Sequence, residues 1–184
     1  MKKVVTLTFL FSALLLFISS CELESENNNS SRGVKALRLA ETDISGWTED
    51  AGGFDAYNSD DLQKHINGDA PNYTKNGLVE GILQYMSKSD KKAFIMVMDF
   101  GTEASAISMY NDMSNRNSNK ESAGEYNLST AQLDISPSSG VNAYAHFNQF
   151  FIEIRLTDFS KKSESLEVAT SMIEVFEEKI SELK

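Results

Sequence analysis

Apolar and polar positions alternate most cleanly between Val141 and Asp158. Val141, Ala143, Ala145 and Phe147 alternate with Asn142, Tyr144, His146 and Asn148. Phe150, Ile152, Ile154 and Leu156 then alternate with Phe151, Glu153, Arg155 and Thr157. A period of two predicts two strands, and the two-residue turn Asn148-Gln149 predicts a hairpin. That turn pairs Phe147 with Phe150 and Ala145 with Ile152, so all eight apolar residues share one face. Leu78 to Met86 and Lys92 to Phe100 read as a second hairpin around the polar segment Ser87 to Lys91. Ala93 to Met98 is apolar on both alternating faces, which predicts a strand covered on both sides or central in its sheet.

The pattern changes to helical spacing twice. After Gly101-Thr102, a helix is predicted from about Glu103 to Asn115, with Ala106, Met109, Tyr110 and Met113 as its buried stripe. From about Ser163 to Leu183, the residues Leu166, Ala169, Ile173, Phe176, Ile180 and Leu183 recur three and four apart. That seam also fits a coiled coil, but Val168, Met172 and Val175 widen it, which favours a helix lying across a sheet. Asp60 and Gln63 have capping-box spacing for a short helix ending at Asn67-Gly68, followed by a turn over Asp69 to Asn72. A short strand is read near Lys35 to Leu39, loops around Gly46, Gly52 and Gly53, and a loop over Arg116 to Tyr126. Another short strand lies near Thr130 to Ile135 before the turn composition of Ser136 to Gly140. The class implied is α+β: a largely antiparallel β-sheet packed by helices, as an α/β sandwich.

The start of the chain carries a different signal. Met1-Lys2-Lys3 precedes fifteen uncharged residues, Val4 to Ile18, then Ser19-Ser20 and Cys21, the only cysteine. The run is shorter than the roughly 18 or more apolar residues that span a bilayer, so it reads as a secretory signal over residues 1–20. The cysteine directly after the cut resembles a bacterial lipobox, which implies acylation of Cys21, palmitate among the chains, and a membrane contact through N-terminal acyl groups. Glu22 to Ser31 holds one apolar residue in ten, so 21–33 is expected to be an acidic, disordered tether. Residues 34–184 then form a single globular domain.

Three segments resemble a family of uncharacterised bacterial envelope lipoproteins, a domain of unknown function with an Ile-Asn-Gly-Gly-Ala-Glu-like motif. They are His65-Ile66-Asn67-Gly68-Asp69-Ala70 with Tyr73 and Gly77, the stretch Val97 to Ala106, and the hairpin His146 to Leu156. Asp69 stands where the family pattern has a second glycine. The resemblance implies an envelope location and no assigned activity. The order of elements is also similar, at the level of fold, to PsbP-like sandwiches.

Charge narrows the partners. The chain has 27 acidic residues against 17 basic ones, and about −12 net charge once Lys2 and Lys3 leave with the signal. Such a surface repels phosphate backbones and argues against nucleic-acid binding. Asp55, Asn58, Asp60 and Asp61 are the best metal candidate, but their spacing fits no EF-hand and suits a solvated helix start. The two histidines, His65 and His146, are too few for a zinc site, and no serine lies in Gly-x-Ser-x-Gly context. No catalytic, cofactor-binding or metal-binding residue is therefore assigned. Tyr144, His146 and Phe151 share the face opposite the hairpin's apolar set: core if a helix covers them, a ligand or partner surface if none does. Asn67, Gly68 and Tyr73 join them as candidate surface, although a helix stop explains Asn67-Gly68 structurally. The leading function is a non-enzymatic, lipid-anchored envelope module for a protein or small ligand. An envelope hydrolase and a purely structural surface lipoprotein are the alternatives. A cleft where histidine, carboxylate and serine converge would favour the hydrolase.

Overall fold

The computed structural model describes residues 31–56, 59–66, 68–116, 120–122, 131–134 and 141–183. The leader, Cys21, Asn58 and Asn67 lie outside them. Seven strands form one antiparallel sheet: β1 (Thr48–Ala56), β2 (Glu80–Lys88), β3 (Lys91–Asp99), β4 (Lys120–Ser122), β5 (Ala131–Asp134), β6 (Val141–Phe147) and β7 (Phe150–Thr157). Their spatial order is β1-β2-β3-β7-β6-β5-β4. Two meanders thus meet at a central seam, β3 against β7, joined through α4 (Glu103–Asn115). Both tight hairpins place a small polar residue in the left-handed region, Ser89 at φ 58° and Asn148 at φ 51°. The second hairpin has the register its alternation predicts, Phe147 opposite Phe150 and Ala145 opposite Ile152.

Helices lie on both faces of the sheet. One face packs Ile95, Val97, Ala143, Ile152 and Ile154 against Leu166, Met172, Ile173 and Phe176 of α5 (Lys162–Glu182). Each such large apolar side chain removed from water contributes about 1.5–3 kcal/mol. The same face receives α1 (Ser31–Ala36) through Val34, followed by Leu37, Leu39 and Trp47. The fully buried Gln84 fastens that segment: its Nε2 donates to the Leu39 carbonyl at 2.7 Å, and its Oε1 accepts from the Leu39 N–H at 3.0 Å. The opposite face packs Leu83, Met96, Met98 and Phe151 against α2 (Ser59–His65), α3 (Ala70–Lys75) and α4, through Leu62, Tyr73, Ala106 and Met109. The both-sided apolar pattern of β3 therefore has its cause in two helical layers.

Several expectations are corrected. Residues 31–36 are helical, so α1 replaces the strand read near Lys35 and takes in the last residues assigned to the tether. The segment around Gly52 and Gly53 is strand β1 rather than loop. Its pairing with β2 shifts between Asp50 and Phe54, and a Cβ on Gly53 would lie 2.7 Å from the Leu83 carbonyl oxygen. Only glycine fits such an irregularity in a packed edge strand. Asp60 lies inside α2 rather than capping it. Asp69 to Asn72 opens α3, with Pro71 in the first turn where its missing N–H costs nothing. Lys120–Ser122, read as loop, pairs with β5. Apart from the nine-residue β1, these are short elements set by tertiary partners, which leave no periodic trace. Among the described residues no helix is long and apolar enough to cross a membrane.

Candidate functional site

On the face carrying α2, α3 and α4, helices cover only one end of the strands. Beyond them one rung of side chains runs across the sheet. Asp50 of β1 opposes Tyr85 of β2, Tyr85 opposes Phe94 of β3, and Phe94 opposes Arg155 of β7. Tyr85 and Phe94 have ring centroids 5.2 Å apart, tilted by 47°. The Arg155 guanidinium lies 5.4 Å from the Phe94 centroid, a cation–π distance. Lys92 and Thr157 complete the next rung, and together these residues line an open hollow of about 420 Å³. That volume lies within the 300–1,000 Å³ range of small-ligand sites. Tyr85 is 39% exposed, one of two exposed large hydrophobics among the described residues.

The shelf has an ordered floor. Glu153, one step along β7 on the same face, is fully buried, and it accepts from the Tyr73 hydroxyl at 3.0 Å and from Arg155 Nε. A buried carboxylate is tolerable only with such partners. Burial first, and then the Glu153 charge, push the Tyr73 phenol well above its usual range, so it stays a donor. Burial works against the Arg155 charge, but Glu153 outweighs it and raises the guanidinium further. Because Nε is committed to Glu153, the guanidinium is fixed in orientation. Its two Nη groups have no hydrogen-bond partner among the described residues, and the side chain is 42% exposed. Asp50 accepts from Ser87 Oγ at 2.6 Å and pairs with Lys92 Nζ at 3.1 Å; these contacts hold its carboxyl below the usual range.

The residues singled out in the sequence fall elsewhere. Tyr144 and Phe151 are buried, with stacked rings 6.2 Å apart, so they belong to the core beneath α3 and α4 rather than to an exposed patch. Tyr73 is fully buried, edge-on to Phe151 at 6.5 Å. His146 is half-buried, edge-on to Tyr110 at 5.0 Å, and burial lowers its pKa. Gly68 has φ 91°, the left-handed conformation expected at a helix stop; Asn67 is outside the described residues. His65 stacks on Phe54, and Asp55 is held by Arg38 at 2.9 Å. Among the described residues no cluster of three metal-ligating side chains exists.

One hollow of about 300 Å³ does place His146, Glu103 and Ser181 on a common wall. Their hydrogen bonds do not form a relay, however. Ser181 Oγ donates to the Glu178 carbonyl at 2.7 Å, and His146 packs against an aromatic ring. A nucleophile–base pair needs the serine bonded to the imidazole, and that is absent among these residues. A larger groove of about 510 Å³ between α5 and residues 43–47 is lined by Asp43, Glu167, Glu174 and Glu178, with Asp43 paired to Lys179 at 2.9 Å. Its acids lie along the solvated side of α5.

Sequence reasoning missed Tyr85, Phe94 and Arg155 as a set. Their available signal was weak: each shares its strand's phase with the residues packed under α2 to α4, and only its place along the strand puts it beyond those helices. The rung itself depends on β3 pairing with β7, which no local pattern encodes.

No protein-family model and no curated protein matches the chain. A solved structure shares its fold at great sequence distance. The extracellular domain of PknH from Mycobacterium tuberculosis superposes with a TM-score of 0.55 at 10% identity, covering 80% of this chain and 96% of that one. The Rv0999 ortholog from Mycobacterium smegmatis gives a TM-score of 0.38 at 10% identity over 80% and 95% of the two chains. What the first likeness establishes is the fold: this chain has the α+β architecture of a known extracellular domain.

Proposed function

We propose that this chain is a non-enzymatic, lipid-anchored protein of the bacterial envelope that binds a ligand on the shelf formed by Tyr85, Phe94 and Arg155. The shelf is the observation that carries this reading. An exposed tyrosine, tilted against a second aromatic and flanked by an immobilised guanidinium, is a surface whose cost in solvation is recovered by a partner. The lipobox-like Cys21 supports the anchor, and the acidic surface supports a domain kept off anionic lipid. The fold shared with an extracellular domain is in keeping with an envelope location. The resemblance to envelope lipoproteins carried by Ile66-Asn67-Gly68 points the same way.

Two measurements test the two halves. Cys21→Ala should abolish membrane fractionation or block maturation; a processed mutant still bound to membranes would count against the anchor. Amide exchange of the full chain, with and without envelope extract, should show new protection confined to β2, β3 and β7 around Tyr85, Phe94 and Arg155. Protection centred instead on the His146 hollow would turn the reading toward catalysis.

A further inference from the structure

Which ligand the shelf takes follows from its groups, granted that the shelf is the binding surface. The strands beneath it, β2, β3 and β7, are paired on both sides along this rung, so their backbone N–H and C=O groups are spent within the sheet. A ligand here meets side chains only. An extended peptide would leave its own backbone donors and acceptors without partners, which a sheet face cannot remedy. A compact ring with an apolar face needs no backbone partner, and the exposed Tyr85 ring offers it a stacking surface.

Charge then selects the substituent. Lys92 is matched by Asp50 at 3.1 Å, and Glu153 takes the Nε side of Arg155. What remains is one planar fork of Nη donors, half-exposed, in a protein of net charge −10. Arginine forks bind carboxylate through two parallel hydrogen bonds. With Lys92 paired to Asp50 and Arg155 to Glu153, a dianionic phosphate monoester would bring two charges beside two carboxylates with no spare cation, and a sulfate ester, a monoanion, presents a tetrahedral head instead of two coplanar oxygens for the fork. The balance suits a single, planar, monovalent anion.

We infer that the shelf binds a ring-borne carboxylate, namely a uronic-acid residue of an acidic glycan, with the sugar face on Tyr85 and the carboxylate on the Arg155 fork. The buried Tyr73–Glu153 pair acts behind the site as a positioning device: it holds Nε so that the Nη groups point into the hollow.

The test is titration of the full chain with oligogalacturonate, followed by calorimetry and by amide resonances of β2, β3 and β7. Neutral gluco-oligosaccharides, a sulfated oligosaccharide and a Glu-rich peptide serve as comparison probes. Oligogalacturonate should bind and shift the shelf resonances, with the other probes at least tenfold weaker. Arg155→Lys, which keeps the charge and removes the fork, should weaken binding at least tenfold. Tyr85→Ala, at a part-exposed position, should do likewise with the fold retained by circular dichroism. It keeps the test valid should R155K disturb the floor. If neutral saccharides bind equally and Y85A removes both, the carboxylate assignment fails while the shelf stands as a binding surface. Tighter binding of the sulfated probe or the peptide on the same resonances overturns the assignment in the same way. If oligogalacturonate binds unchanged in both variants, or shifts resonances elsewhere, the shelf itself is refuted.

Discussion

The residue that organises most around it is Glu153. In sequence it is one polar position in an alternating hairpin, and alternation ordinarily means solvent on the polar side. The structure puts a second helical layer over that side, so the same carboxylate is fully buried and needs donors. Tyr73→Phe removes one of them and should cost about 1–3 kcal/mol, read from urea denaturation midpoints. Glu153→Ala strands Arg155 as well and should cost about 3–5 kcal/mol; a loss no larger than that of Y73F would show that the pair is not cooperative. Glu80 is the opposite case, a buried carboxylate with one oxygen lacking a hydrogen-bond partner. Burial, then the charge of Asp99 opposite it in β3, raises its pKa above the ordinary 4.5. The folded state thus holds this proton more tightly than the unfolded chain. Its contribution is fullest below about 4.5 and is lost as pH rises through the folded value. Glu80→Gln should therefore raise the melting temperature at pH 7 and leave it unchanged near pH 4; equal midpoints for the two proteins at both pH values would count against this.

At the scale of elements, what was readable in the sequence was what repeats. The β6–β7 register, the span of α4 and the amphipathic α5 all follow from periods of two or 3.6 carried over seven or more residues. The three-turn helix α4 also has a local start signal: Thr102 Oγ1 accepts from the Ser105 N–H at 3.2 Å. Thr102→Ala should cost about 1 kcal/mol, visible as a lower melting temperature with an unchanged fold by circular dichroism. The six-residue helices α1 and α3 and the three-residue β4 carry no such signal. A helix of that length is marginal by itself, and packing holds it in place. Tyr73 illustrates this: it fixes α3 by reaching down to Glu153, a contact 80 residues away in the chain.

For the whole molecule, the decisive fact is the seam between β3 and β7. It brings residues 91–99 beside 150–157 and so creates both the deepest core and the shelf. Neither could be read from local pattern, because a pairing across more than 50 residues leaves no period. The α+β class was legible, since it needs only the inventory of elements. The candidate site was not, since it needs their order. Paired on both edges, covered along one face and over one end of the other, β3 and β7 should hold the slowest-exchanging amides of the chain. Exchange as slow in β1 or β4 would contradict the seam as the stability centre.

The Gln84–Leu39 clamp has a mechanical consequence. The chain enters the sheet on the α5 face, whereas the shelf opens on the other side. For a domain held by its N-terminus, tension first peels α1 and then meets the two-bond clamp on β2. Gln84 is the chain neighbour of Tyr85, so that load passes directly into β2, a strand of the shelf. Tension on the N-terminal side and the setting of Tyr85 are thus coupled through adjacent residues of one strand that face opposite sides of the sheet.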